Sequence, residues 1–273
     1  MKKLFNLHIP KTAGSSLNKE AFNWFSEEKV STHLESNSLW SSSVFDVAAY
    51  DYLSGHIIYP SLKGKLDSNY KLSVILRKPD EHIISHLNWL RRLGDKGEEE
   101  RLNNHSDQVK KIVAQIVSVD LSDSDALSKF FIWLEREQFF LFHNTQTTYL
   151  SGGNYVNAYH LRLALKNLNK FDYVGITERF DEFVVFLGYS LGVGVPSASV
   201  KENVNDAFYG LDIHNKDLRA VLQPFIQYDW ILYEEARKIF VTQLHNWLIG
   251  IESNERYRFT SVNINAVRNI FNN

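Results

Sequence analysis

The strongest constraint on the fold is the alternation of short apolar segments with helical segments. Strand candidates lie at residues 4–9, 52–58, 71–76 and 171–177, and helical patterns cover 17–28, 180–191, most of 108–142 and 215–250, with a further helix opening at Pro79. The segment 71–76 is almost wholly apolar, as expected for a strand buried on both faces. This alternation predicts an α/β protein with a central parallel sheet flanked by helices and a helical C-terminal part.

Composition excludes several classes of protein. The chain has 273 residues and no cysteine, so disulfides, thiolate zinc sites, iron–sulfur clusters and cysteine nucleophiles are ruled out. A net charge of −2 argues against a protein that coats nucleic acid, because such proteins carry a basic excess. The longest uncharged apolar run, residues 183–196, is shorter than the ~20 residues that span a bilayer. We therefore expect one domain over residues 1–273, in the cytoplasm, with no nucleic-acid partner and no integral membrane segment.

The loop after the first predicted strand carries the first chemical signal. Its sequence, from residue 7 to residue 17, is LHIPKTAGSSL. Ala13 and Gly14 allow an anion to approach the backbone, Ser15 and Ser16 add hydroxyls, and the helix that follows presents free N–H groups. Lys11 adds a compact positive charge. These features predict a phosphate-binding loop, with an ordinary strand-to-helix turn as the alternative.

This loop does not follow the order of the Walker A motif. In that motif the lysine follows the glycines, whereas Lys11 precedes Gly14. A P-loop nucleotide kinase or ATPase therefore remains only an alternative interpretation. A non-catalytic nucleotide-binding module is a second alternative, although such a module has no need of both Lys11 and a catalytic base.

A second signal follows the strand at 71–76. Arg77 stands at the carboxyl end of this strand, and Ser85 lies eight residues later, in the second turn of the helix that Pro79 opens. A guanidinium and a hydroxyl placed in this way can together hold one phosphate group. By itself, an arginine at a strand end is equally consistent with an ion pair to a carboxylate.

Taken together, these segments resemble the carbohydrate sulfotransferases that use 3′-phosphoadenosine 5′-phosphosulfate, in particular the heparan sulfate 2-O- and 6-O-sulfotransferases and their bacterial relatives. HIPKTAGSS at 8–16 is similar to that family's HIPKTGGTS-like loop, and residues 77–85 match R-x-P-x-x-x-x-x-S. Three further segments agree: NTQTTYL at 144–150 with N-x-Q-T-R-x-L, YVGITERF at 173–180 with VGLTERF, and residues 229–236 with D-x-x-LY-x-x-A. The resemblance covers about residues 4–240.

The resemblance implies a sulfotransferase that moves a sulfuryl group from this donor to a hydroxyl of a carbohydrate or glycoconjugate, releasing adenosine 3′,5′-bisphosphate. It implies a P-loop-like sheet and no metal requirement. The donor's 5′-phosphosulfate would be bound by Lys11, Thr12, Ala13, Gly14, Ser15 and Ser16, and its 3′-phosphate by Arg77 and Ser85. Lys11 would also stabilise the leaving oxygen. Lys201 to Asn205 resemble a late loop that closes over the donor, with a solvated turn as the alternative.

Histidine is the first candidate for the catalytic base, because its ordinary pKa lies near neutral pH. His56 follows the strand candidate at 52–58, and the related 6-O-sulfotransferases place their base in a similar S-G-H segment. A structural histidine at a strand end is the alternative. His8 is expected to be buried, and His82 and His86 to have surface or supporting roles. Glu20, on the first predicted helix, is the next candidate for the base.

Overall fold

The computed structural model describes residues 2–35, 39–42, 45–194, 211–212 and 214–253. The predicted parallel sheet is confirmed: five strands pair in the order β2-β3-β1-β4-β5, and every pair is parallel. The strands are Lys3–Leu7 (β1), Val30–Ser31 (β2), Tyr52–Gly55 (β3), Tyr70–Leu76 (β4) and Tyr173–Ile176 (β5). The segment from Lys201 to Asn205 lies outside the described residues.

Helices account for most of the remaining described chain. They are Gly14–Trp24 (α1), Pro79–Leu93 (α2), Glu99–Asn103 (α3), Asp107–Ile116 (α4), Ser124–Arg136 (α5), Thr145–Ser151 (α6), Ala158–Leu168 (α7), Phe180–Leu191 (α8) and Lys216–Ser253 (α9). Short 3₁₀ turns lie at Glu27–Lys29, Leu39–Ser41, Val47–Ala49, Tyr59–Leu62 and Thr177–Arg179. Pro79 occupies the first position of α2, where its missing N–H has no intrahelical partner to lose.

The register of the sheet brings its carboxyl ends to one edge. Leu7 of β1 pairs with Gly55 of β3 and with Val74 of β4, and Leu76 pairs with Ile176 of β5. The chain segments that leave these strands therefore emerge side by side. In an open parallel sheet, this edge is where ligands bind.

Two hydrophobic clusters hold the described residues together. One surrounds the sheet, where Phe5, Leu53 and Val74 are fully buried against α1, α8 and α9. The other consists mainly of helical residues and joins α2, α4, α5 and the start of α9. Trp230 on α9 packs against both. Among the described residues, the structure contains no helix with the length and apolarity needed to cross a membrane.

Candidate active site

A cavity of about 1500 Å³ opens at the carboxyl edge of the sheet. It brings together nearly all the predicted site residues: Lys11, Ala13, Gly14, Ser15, Ser16, His56, Arg77 and Ser85 all line it. Thr12 does not line it. Its side chain is buried, and its hydroxyl donates to the carbonyl oxygen of Ile9 over 2.9 Å. Thr12 therefore stabilises the loop from within, and only its backbone remains to face an anion.

The loop between β1 and α1 has an unusual backbone. Lys11 and Ala13 both adopt left-handed conformations, with φ of 67° and 69°, which cost non-glycine residues free energy. Ala13 caps α1, which begins at Gly14, three residues before the predicted start. A β-carbon on Gly14 would lie 2.0 Å from Cδ2 of His8, so only glycine fits there. The loop thus presents the N-terminus of an 11-residue helix to the cavity.

Two cations meet at this loop. Nη1 of Arg77 donates to the carbonyl oxygen of Lys11 over 3.3 Å, while Nε of Arg77 is buried and has no hydrogen-bond partner. Burial, followed by the neighbouring charges of Arg77, Arg101 and Arg92, lowers the pKa of Lys11 to about 8. Burial likewise lowers the pKa of Arg77. Nη2 of Arg77 lies 3.9 Å from the Glu81 carboxylate, which offsets part of the repulsion between the two cations, and an anion bound between them would offset more of it.

His56 is held in one orientation at the end of β3. Its Nδ1 lies 2.9 Å from the carbonyl oxygen of His8, and the two imidazole rings pack with their centres 4.4 Å apart. Because a carbonyl oxygen can only accept, Nδ1 carries the hydrogen and Nε2 keeps its lone pair. Burial, and then the charge of His33, lowers the pKa of His56. At neutral pH the ring is therefore uncharged and able to accept a proton.

The other candidate histidines are buried. His8 is buried as expected, but its Nδ1 has no hydrogen-bond partner. His82 and His86 are also buried, so a surface role for either is wrong. Nε2 of His82 donates to the carbonyl oxygen of Pro10 over 2.8 Å, and burial lowers the pKa of His82 to about 4. His82 therefore supports the loop as a neutral donor.

The reserve candidate for the base, Glu20, does not reach the cavity. Its side chain is buried in α1 and accepts a hydrogen bond from Nδ2 of Asn23 over 3.3 Å. On the same helix, Phe22 is 48% exposed, whereas Trp24 is buried.

Sequence reasoning missed one wall of the cavity, formed by His33, Glu35 and Tyr149. The backbone N–H of Leu34 donates to the carbonyl oxygen of Ser54 over 3.0 Å, which brings this segment alongside the end of β3. Burial raises the pKa of the Glu35 carboxyl to about 7. Burial, and then the charge of Glu35, raises the pKa of Tyr149. This segment was missed because strand β2, which precedes it, has only two residues and is too short to show the period-2 pattern of a strand.

No metal centre is built from the described residues, in which no cluster of three or more His, Asp or Glu side chains has a suitable arrangement. Comparison with known proteins adds no assignment: no protein-family model matches the chain, and no curated protein matches it significantly.

Proposed function

We propose that this protein is a sulfotransferase that uses 3′-phosphoadenosine 5′-phosphosulfate and acts on a hydroxyl of a carbohydrate or glycoconjugate. The observation that carries the proposal is the convergence of Lys11, Arg77 and the N-terminus of α1 on one cavity that also contains His56. These four features are explained by a donor that carries two separate phosphate groups and by a neutral base that takes the proton of the acceptor hydroxyl.

The residues present fit this donor. The N-terminus of α1 and the charge of Lys11 suit the 5′-phosphosulfate, and the unpartnered Nε of Arg77, together with Ser85 on α2, suits the 3′-phosphate. In this proposal the loop is P-loop-like in its use of backbone amides. It differs from a Walker A loop because its lysine precedes the helix.

The donor supplies the sulfuryl group: the acceptor oxygen forms a bond to sulfur while the bond between sulfur and the bridging phosphate oxygen breaks. Nε2 of His56 takes the proton of the acceptor hydroxyl. Lys11 stabilises the negative charge that develops on the leaving oxygen, which needs no metal ion. Lys11, in the loop after β1, and His56, directly after β3, both line the same cavity, which suits these roles.

A comparison of how far two nucleotides raise the melting temperature tests the proposal without knowledge of the acceptor. A ligand that binds only the folded state raises the melting temperature. Adenosine 3′,5′-bisphosphate should therefore raise it far more than AMP, because AMP lacks the group that Arg77 and Ser85 hold. Equal shifts from the two ligands, or a preference for ATP with Mg²⁺, would contradict the proposal and favour a kinase or ATPase.

Substitution of Arg77 refines this test. Arg77→Ala should weaken binding of the bisphosphate by roughly 1.5–3 kcal/mol, the contribution of a hydrogen bond to a charged group. AMP binding should change little. The matched control is Arg237→Ala, because Arg237 lies on the exposed side of α9 and pairs with Glu234.

A further inference from the structure

One glutamine holds both backbone groups of Arg77. The Arg77 N–H donates to Oε1 of Gln146 over 2.9 Å, and Nε2 of Gln146 donates to the Arg77 carbonyl oxygen over 2.8 Å. Gln146 is fully buried. Arg77 is the first residue beyond β4, where pairing with β5 has ended. The amide of Gln146 therefore continues the hydrogen bonding of the strand for one more residue.

Helix α6, which carries Gln146, is itself fixed to α9. The buried carboxylate of Asp229 accepts hydrogen bonds from the N–H of Gln146 at 3.1 Å, the N–H of Thr147 at 2.7 Å and the hydroxyl of Thr147 at 2.7 Å. In return, Oδ1 of Asn144 accepts from the N–H groups of Tyr228 and Asp229. The amide of Gln146 thus has little freedom to move relative to α9.

The residues on either side of Arg77 are held by a different segment, the one that follows β5. The hydroxyl of Thr177 donates to the Leu76 carbonyl oxygen over 3.2 Å, and Oε1 of Glu178 accepts from the Lys78 N–H over 2.8 Å. Glu178 is anchored in turn by the hydroxyl of Tyr233 on α9, at 3.0 Å. Two segments that are distant in the sequence, one with Gln146 and one with Thr177 and Glu178, therefore meet at residues 76–78.

We infer that Gln146 is a positioning residue for the phosphate-binding guanidinium, fixing the peptide of Arg77 so that its side chain points into the cavity. The inference rests on the proposed function, since it gives Arg77 a phosphate to bind. It goes beyond that function by assigning a role to Gln146 and Asp229, neither of which lines the cavity. Misplacing a binding group by about 1 Å can cost as much as ~10²-fold in function.

The chain offers a matched control for this role. Gln243 on α9 makes the same kind of bridge to β5: Oε1 accepts from the Val174 N–H, and Nε2 donates to the Asp172 carbonyl oxygen, both at 3.1 Å. Gln243 does not line the cavity. Replacing either glutamine with methionine removes two side-chain hydrogen bonds to the backbone at one end of a strand and preserves the length of the side chain.

The experiment measures dissociation constants of adenosine 3′,5′-bisphosphate and AMP by calorimetry for the wild type, Gln146→Met and Gln243→Met. Both variants should melt at a lower temperature than the wild type. Only in Gln146→Met should the preference for the bisphosphate over AMP, measured as the ratio of the two dissociation constants, fall. We expect it to fall about tenfold, which corresponds to about 1.4 kcal/mol. Gln243→Met should keep the wild-type ratio, because a purely structural loss does not alter the choice between two ligands.

A folded Gln146→Met protein that keeps the wild-type ratio would overturn the positioning role while leaving the proposed function intact. A wild type that does not prefer the bisphosphate would overturn both. If Gln146→Met does not fold, Gln146→Asn replaces it, because its neutral amide is shorter by one methylene group and cannot reach both backbone groups of Arg77. Gln146→Asn should show the same loss of preference in smaller degree, and an unchanged ratio would again overturn the inference.

Discussion

The bond between Nδ1 of His56 and the carbonyl oxygen of His8, 2.9 Å long, fixes which nitrogen of His56 is free to react. The carbonyl oxygen belongs to the residue that follows β1, and His56 is the residue that follows β3. The alignment of two parallel strands therefore sets the tautomer of the proposed base.

Removal of this base should slow the chemical step and leave donor binding nearly unchanged. His56→Ala should lower kcat by roughly 10²–10⁴-fold, the usual contribution of a general base. The assay follows transfer of labelled sulfate to the acceptor that a screen of carbohydrate hydroxyls identifies. His160→Ala serves as a control, because His160 takes part in the capping box of α7 and does not line the cavity. Near-normal turnover by folded His56→Ala would exclude His56 as the base.

The rate should fall at both low and high pH. Below its pKa, His56 is protonated and cannot accept the hydroxyl proton. Because burial lowers that pKa, the acid limb should lie below ~6.5, the ordinary histidine value. Around pH 8, Lys11 loses the charge proposed to stabilise the leaving oxygen, so kcat/KM should fall again. A profile of kcat/KM with an acid limb centred above pH 7 would contradict this account.

Binding of the bisphosphate should take up protons near pH 8. With a pKa of about 8, Lys11 is about half neutral in the free protein at that pH, and a bound phosphate favours its charged form. Phosphate groups, with a second pKa near ~6, are already ionised and do not contribute. Calorimetry in buffers of different ionisation enthalpy should detect an uptake of about half a proton.

The matching variant for this measurement is Lys11→Arg. Arginine stays charged throughout this pH range, so the proton uptake should disappear while binding persists. An uptake that survives Lys11→Arg would have to come from another group and would contradict the assignment.

Substitutions of Ala13 and Gly14, at the start of α1, should change the free energy of unfolding in opposite directions. Ala13→Gly removes a left-handed alanine and should raise the free energy of unfolding by up to about 1 kcal/mol. Gly14→Ala places a β-carbon against the ring of His8 and should lower it by about 1–3 kcal/mol. Thermal unfolding measures both effects. A stabilised Gly14→Ala protein would contradict the packing described for this loop.

Much of the fold could be predicted from sequence because strand and helix periods are local properties. The apolar segment 71–76 coincides with β4 to within one residue, and α8 occupies the predicted range 180–191. The boundaries of α1 could not be predicted in the same way. Its start depends on the left-handed conformation of Ala13, a residue whose type does not favour that conformation.

The candidate site was predictable where one residue type at a strand end carries the chemistry, as with Lys11, His56 and Arg77. It was not predictable where the role depends on contacts between distant segments. Gln146 meets Arg77 across 69 residues of sequence, and the resemblance at 144–150 does not indicate which backbone groups it binds. Glu35 was missed for a similar reason, since its place beside β3 follows from a strand of only two residues.

A crystal structure of the protein with adenosine 3′,5′-bisphosphate would locate the two phosphate groups. We expect the 5′-phosphate at the N-terminus of α1, within hydrogen-bond distance of Lys11 and Ser15, and the 3′-phosphate on Arg77 and Ser85. Density for the nucleotide outside this cavity, or with its 3′-phosphate away from Arg77 and Ser85, would contradict this expectation.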